Sequence, residues 1–497
     1  MKYNKNVIKD GITFHKVSTN KFKTNLFAIF LTTPINREDV TKNALISAVL
    51  RRGTNNYKTQ ADISKELEDM YGASFDCGIE KNGDNQILKF YIESINDEFL
   101  PKQENLAQKS LQLLSDIVFN PYTENGIFKE EYVDGEKNTL KQIIEGKIDN
   151  KTKYALDRCI EEMFKGEPFG LYKFGYTEDL DKISSKDLYE QYTKLISSCK
   201  IDIFVSGENI DNLNENKILE NLNERKAKYI PTKISSSNKS INNPNEVIEK
   251  MNITQGKLMI GLNISDLQED EQYIASMYNV ILGGGANSKL FQNVREKASL
   301  AYTAGSGYLK AKSIIIIRCG IEIKNYEKAV SIIKDQLQQM LTGDFTEEDL
   351  ESAKQLIYAS VKSIPDTQDG ELMYYFSQEL SNKFVSLDKY IDNIKKVTKE
   401  EIIKIIVVAF VLTIILSTIS LGKYFNKTKI NVNSGVAIPI IKLEGEQKLI
   451  INNNQENKVY NLAVKNYDEN EQITQVELEY YIEIISKKND DINFKIY

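Results

Sequence analysis

Two residues in the second half of the chain could do chemistry together. Arg295 and Tyr302 lie seven positions apart. Between them the helical spacing of Leu290, Phe291 and Val294 gives way to a strand opening at Leu300. A guanidinium and a phenol can both donate a hydrogen bond to a carbonyl oxygen as it becomes an oxyanion. On spacing alone, the commoner arrangement is a surface arginine paired with Glu296 or Glu322, beside a half-buried tyrosine. Upstream stand Gly283, Gly284 and Gly285. They lack the G-x-x-x-x-G-K-[ST] spacing of a phosphate loop, and Lys289 falls out of register. They read as a tight helix-to-helix turn that needs unusual backbone angles.

What the chain lacks is equally informative. His15 is the only histidine in 497 residues, so no histidine-based metal centre or catalytic pair can be assembled. The four cysteines, Cys77, Cys159, Cys199 and Cys319, are widely spaced with no C-x-x-C. They read as thiols of a reducing compartment rather than a disulfide frame. A formal charge of −7 argues against nucleic acid as a partner, because phosphate binding needs a basic face. With 41% hydrophobic and 27% charged residues the composition is that of an ordinary globular protein. No apolar signal segment follows Met1, so residues 1–402 are expected in the cytoplasm.

These residues need elements to position them. Alternation predicts strands at 11–17, 25–33, 74–79, 86–95 and 200–206, with helices at 37–52, 59–71, 103–118, 127–146, 151–164 and 184–196. The second half repeats the order. Strands fall at 257–264, 300–310 and 313–323, and helices at 269–282, 288–297, 325–341, 346–363 and 370–382. Two copies of one α+β unit fit this better than one large domain. They span 1–230 and 248–402, with 231–247, rich in Ser, Asn, Lys and Pro, as the linker. Residues 405–422 carry no charge. The length criterion favours a transmembrane helix over 403–424, against the alternative of a buried helix followed by a strand. Beyond it, 425–497 reads as a β-rich tail with strands at 437–443, 447–451, 458–464 and 476–485, and the change of character at 402 looks like the join of two unrelated sequences.

The stretch 281–308, with its triple glycine, Leu-Phe-x-x-x-Arg-Glu at 290–296 and Leu-Ala-Tyr at 300–302, resembles the C-terminal half of insulinase, pitrilysin and mitochondrial processing peptidase subunits. The resemblance covers about residues 5–402. It implies a clamshell of two similar α/β halves, with Arg295 and Tyr302 reaching substrate backbone. In that family zinc is held by H-x-x-E-H on a helix near the N-terminus. Counting back from Gly53-Thr54, the ligand and base positions fall on Ala44, Ser47 and Ala48. These cannot supply the donors that a hydrolytic zinc requires, so no metal and no cofactor are expected. Asp134 and Glu136 lie where the family's third ligand would be, and are expected on a solvated helix face. Among members of the family, the chain is most similar to non-catalytic bacterial subunits associated with 5-aminopentanol modification of elongation factor P. The implied role is a heterodimer with a subunit that keeps H-x-x-E-H, acting on a peptide or protein substrate. Two other classes stay open: a peptide-binding scaffold without hydrolysis, and a membrane-tethered adaptor held by 405–422 with its tail outside the cytoplasm.

Overall fold

The computed structural model describes residues 2–210, 213, 222, 246–264, 267, 270–410, 414–421, 442–445 and 462–465. Strands β1 (Lys2–Lys9), β2 (Ile12–Ser18) and β3 (Thr24–Pro34) open the chain. Helices α1 (Val40–Leu50) and α2 (Gln60–Asp69) follow, then β4 (Ser74–Asn82) and β5 (Asn85–Ile95). Next come α3 (Leu106–Phe119), α4 (Glu130–Glu145), α5 (Lys151–Met163), α6 (Ser185–Ser198) and β6 (Lys200–Gly207). The expected linker at 231–247 lies outside the described residues except for 246–247.

The second half contains β7 (Ile248–Lys250), β8 (Gly256–Asn263), α7 (Glu271–Gly283), β9 (Ala301–Leu309) and β10 (Ile314–Ile321). After them run α8 (Tyr326–Thr342), α9 (Glu347–Ser363), α10 (Gln368–Leu380), α11 (Leu387–Lys396), α12 (Lys399–Phe410) and β11 (Ile414–Leu421).

The two halves carry one topology. The first sheet has the order β1-β2-β6-β3-β5-β4, the second β7-β11-β8-β10-β9. β2 pairs β6 in parallel, as β11 pairs β7. β3 is antiparallel to both β6 and β5, as β8 is to both β11 and β10. The last strand of each half is therefore inserted between the first strands of that half. β6 and β11 are each eight residues long.

This overturns the expected membrane helix. The apolar run at 405–422 is the end of α12 followed by a central strand, and among the described residues no helix is long and apolar enough to cross a membrane. The misreading has a physical cause. An uncharged central strand that follows the apolar end of a helix extends it into one hydrophobic run, and periodicity cannot then tell the two from a single helix. The expected boundary at 402/403 does not cut β11 from its half, since residues 1–424 form one compact unit. Among the described residues of the second unit, 425–497, β12 (Lys442–Gly445) pairs antiparallel with β13 (Leu462–Lys465). The expected tail strands at 447–451 and 476–485 lie outside the described residues.

Each sheet packs one face on its own helices. Phe27, Ile29, Phe90 and Ile203 meet Leu45, Leu114, Val133 and Leu188 in the first half. Leu258, Ile260, Ile317 and Cys319 meet Met277, Ile333, Leu350 and Ile394 in the second. The opposite faces are closed by exchange. α10, from the second half, lays Leu372, Phe376 and Leu380 on Ala28, Phe30 and Phe204 of the first sheet. α5, from the first half, lays Ala155, Cys159 and Ile160 on Met259, Ile314 and Ile316 of the second. Buried aromatic side chains of this kind contribute about 2–3 kcal/mol each.

Candidate functional site

α1 begins where Asn36 Oδ1 accepts from the backbone N–H groups of Glu38 and Asp39, at 3.0 and 2.8 Å. Its apolar residues Ala44, Leu45, Val49 and Leu50 face the first core. Ala44 and Ser47 are each 3% exposed, and Ala48 is half-buried. The Cys77 thiol of β4 donates to Ser47 O at 3.6 Å, and burial pushes that thiol up to about 11.

Glu136 lies across from them on α4, and the structure corrects its expected place. It is 7% exposed, not solvated. Its Oε1 is 3.4 Å from Arg52 Nε. Burial raises the Glu136 carboxyl above the ordinary carboxylate range, while the charges of Arg52 and Arg51 act to lower it. Arg52 also donates to Gln60 Oε1 at 3.2 Å and lies over the Tyr132 ring at 5.5 Å. Gly135 leaves it room, since a Cβ there would sit 3.3 Å from Arg52 Nη2. Asp134 is a surface partner of Lys137.

The donor set does not fit zinc. Two methyl groups and a hydroxyl stand at the positions of two ligands and a base, and the carboxylate in the third-ligand region is paired with a guanidinium. That fixed cation opposes a second cation in the same place. No group of three His, Cys, Asp or Glu side chains able to hold a metal ion occurs among the described residues.

Arg295 and Tyr302 sit elsewhere, each at a backbone irregularity. Residues Phe291–Lys297 form a π-helical turn where an α-helix at 288–297 was expected. Leu290 and Val294 anchor it in the core. The Arg295 side chain is 42% exposed, with its Nε 3.6 Å from Glu296 Oε1 and its guanidinium 4.5 Å from the Phe291 ring centre. Tyr302 is 61% exposed and falls at a bulge in β9, where pairing to β10 shifts between Ala301 and Thr303. Among the described residues, no hydrogen bond or ion pair joins this pair to the α1–α4 cluster.

The glycines upstream do not take unusual angles, and close packing explains Gly283 and Gly284. None of Gly283, Gly284 and Gly285 has a positive φ. A Cβ on Gly283 would fall 2.4 Å from Ser306 N, so the end of α7 can touch β9 only without a side chain there. The lone histidine forms a buried network that the sequence did not announce. His15 Nε2 is 3.0 Å from Asp202 Oδ1, and Tyr3 Oη is 2.9 Å from His15 Nδ1. Tyr3 in turn stacks on Tyr375 of α10, with ring centres 4.2 Å apart, which ties the network to the second half.

Two pseudo-equivalent α/β halves, with a metal position filled by Ala, Ser and Ala, define a metallopeptidase-like protein without the metallopeptidase centre. Comparison with known proteins agrees. The family model described as "Peptidase M16 inactive domain" matches residues 182–357. The chain is 37% identical over 402 residues to the "Probable inactive metalloprotease YmfF" of Bacillus subtilis, covering 79% of this chain and 92% of that protein. A conserved protein of Enterococcus faecalis, of solved structure, superposes with a TM-score of 0.75 at 25% identity, over 86% of this chain and all of the other. The peptidase M16 inactive domain of Pseudomonas fluorescens gives 0.66 at 17% identity, over 86% of this chain and all of the other. The chain belongs to the peptidase M16 family, among its inactive metallopeptidase homologues.

Proposed function

We propose that this chain is the non-catalytic subunit of a two-chain peptidase. It pairs with a homologue that keeps H-x-x-E-H and supplies Arg295 and Tyr302 to the substrate held at the partner's zinc. The observation that carries the reading is how the two residues are displayed. Both are exposed, and they are presented by a π-helical turn and a β-bulge, irregularities that recur at functional sites. The chain has the second half of a peptidase site and lacks the first. The same reading favours a reducing compartment, with Cys77, Cys159, Cys199 and Cys319 in no disulfide. The sequence resemblance extends it to a pathway that modifies elongation factor P.

Co-expression with the zinc-bearing homologue from the same genome, followed by a peptide-cleavage assay, tests this. Arg295→Ala or Tyr302→Phe should each lower the rate of the pair by about 10²–10³-fold while co-elution is unchanged. Full activity of both variants would leave a peptide-binding scaffold as the better description. Deletion of the gene without change in the mass of elongation factor P would remove the pathway assignment alone.

A further inference from the structure

Ordinary strand alternation would send Tyr302 and Ala304 to the same face of β9. The structure does otherwise. Ala301 and Ala304 both pack against the helix-side core, while Tyr302 and Thr303 between them are both exposed. The extra residue of the bulge makes this possible, since Tyr302 and Thr303 together stand opposite Gly320 alone. Tyr302 is thereby turned away from its own half's helices, toward the sheet face that receives α5 from the first half.

The bulge is closed by a side chain. The N–H of Gly320, a buried residue, donates to Thr303 Oγ1 at 3.2 Å. A Cβ on Gly320 would stand 2.9 Å from that oxygen and 3.2 Å from the Gln255 side chain, so the contact needs a glycine. The approach to the bulge is fixed as well. Ser299 N donates to Arg295 O at 3.1 Å, Leu300 N donates to Val294 O at 3.2 Å, and Ser299 takes a left-handed φ of 51°. Only Ala301 separates this clamp from Tyr302.

We propose that Thr303 is the positioning residue for Tyr302: its hydroxyl, accepting the Gly320 N–H, holds the bulge that keeps the phenol exposed. The catalytic consequence rests on the reading of Arg295 and Tyr302 as a substrate-binding pair; the geometric one does not. Loss of the hydroxyl removes this acceptor from the Gly320 N–H, and regular pairing regained there would move residue 302 toward the helix side.

The two parts can be measured separately. The chain contains no tryptophan, so Tyr302→Trp in the full chain installs a single indole reporter. Combined with Thr303→Val, it should show blue-shifted emission and weaker acrylamide quenching. Combined with Thr303→Ser, it should keep the emission and quenching of the Thr303 protein. In the reconstituted pair, with Tyr302 retained and a pool of internally quenched decapeptides as substrate, Thr303→Val should lower kcat by about 10²-fold with little change in KM. Thr303→Ser should restore it. An indole equally exposed in all three backgrounds overturns the proposal. An indole that moves while kcat stays constant upholds the positioning role and overturns the shared-site reading instead.

Discussion

Lys312 Nζ lies 2.6 Å from Asp84 Oδ1, a buried ion pair between the two halves. Asp84 sits at the tip of the β4–β5 hairpin and Lys312 at the tip of β9–β10. These hairpins occupy equivalent places in the two sheets, so the pair joins like to like. The Lys312 ammonium also lies 5.8 and 5.5 Å from the rings of Phe164 and Phe169.

Removing one partner should therefore cost much more than removing both. Lys312→Met or Asp84→Leu leaves a buried charge uncompensated and should destabilise the protein by about 3–5 kcal/mol. The double variant should recover most of this, and urea unfolding of the four proteins reads the coupling directly. Additive losses would show that the two charges do not depend on each other.

Truncation behaves differently after residue 402 and after residue 424. The shorter protein lacks β11, the neighbour of β7 and β8, and should be insoluble or unfolded. The longer one keeps both sheets and should melt cooperatively by circular dichroism. A folded, soluble 1–402 fragment would contradict the central position of that strand.

Glu136→Gln is not a neutral change. With its carboxylate 3.4 Å from Arg52 Nε and little exposed, the substitution should cost about 1–2 kcal/mol, and Arg52→Ala about the same or more. The purified chain should hold no stoichiometric zinc by atomic emission, before or after either substitution. One tightly bound zinc per chain would sink the reading of this cluster.

Acid should loosen the seat of α10. Burial by itself raises the Glu379 carboxyl, but the hydrogen bond and charge of Lys200, with Lys5 and His15, hold it down at about 2. A carboxyl depressed in the folded state adds stability above its unfolded value near 4.5, and loses that stability as pH falls toward 2. Discounted for screening by solvent, the contribution is on the order of 1–2 kcal/mol. Glu379→Gln should thus be less stable than the unaltered protein at pH 7, with the gap closing toward pH 2. A gap that does not change with pH would remove Glu379 from the acid response.

Local signals in the sequence were legible wherever a few neighbouring residues decide the outcome. Thr59 with Asp62, Ser184 with Asp187 and Thr346 with Asp349 form the capping boxes that their spacing predicts. Repetition of element order was legible too, and the sheet topology gives it a physical form. Failures came where partners distant in sequence decide. Glu136 looks like a surface residue until Arg52 folds over it. The run at 405–422 looks like a membrane helix until β7 and β8 flank its second part. Nothing around Tyr302 announces a bulge, because the glycine that permits it is on the neighbouring strand. The first strand, Lys2–Lys9, went unread because it is an edge strand with polar residues at most positions.

The exchange of α5 and α10 between the halves bears on how the chain is made. Synthesis runs from the N-terminus, so the first sheet leaves the ribosome well before α10 exists. Phe30 and Phe204, packed against Phe376 in the finished protein, must wait for it. At 5–20 residues per second that delay is roughly ten to thirty seconds. During it, an aromatic surface stands open on a nascent chain in the crowded cell. The arrangement that locks the finished halves together thus makes the unfinished one a client for chaperones, and a slowly translated message a greater hazard than a fast one.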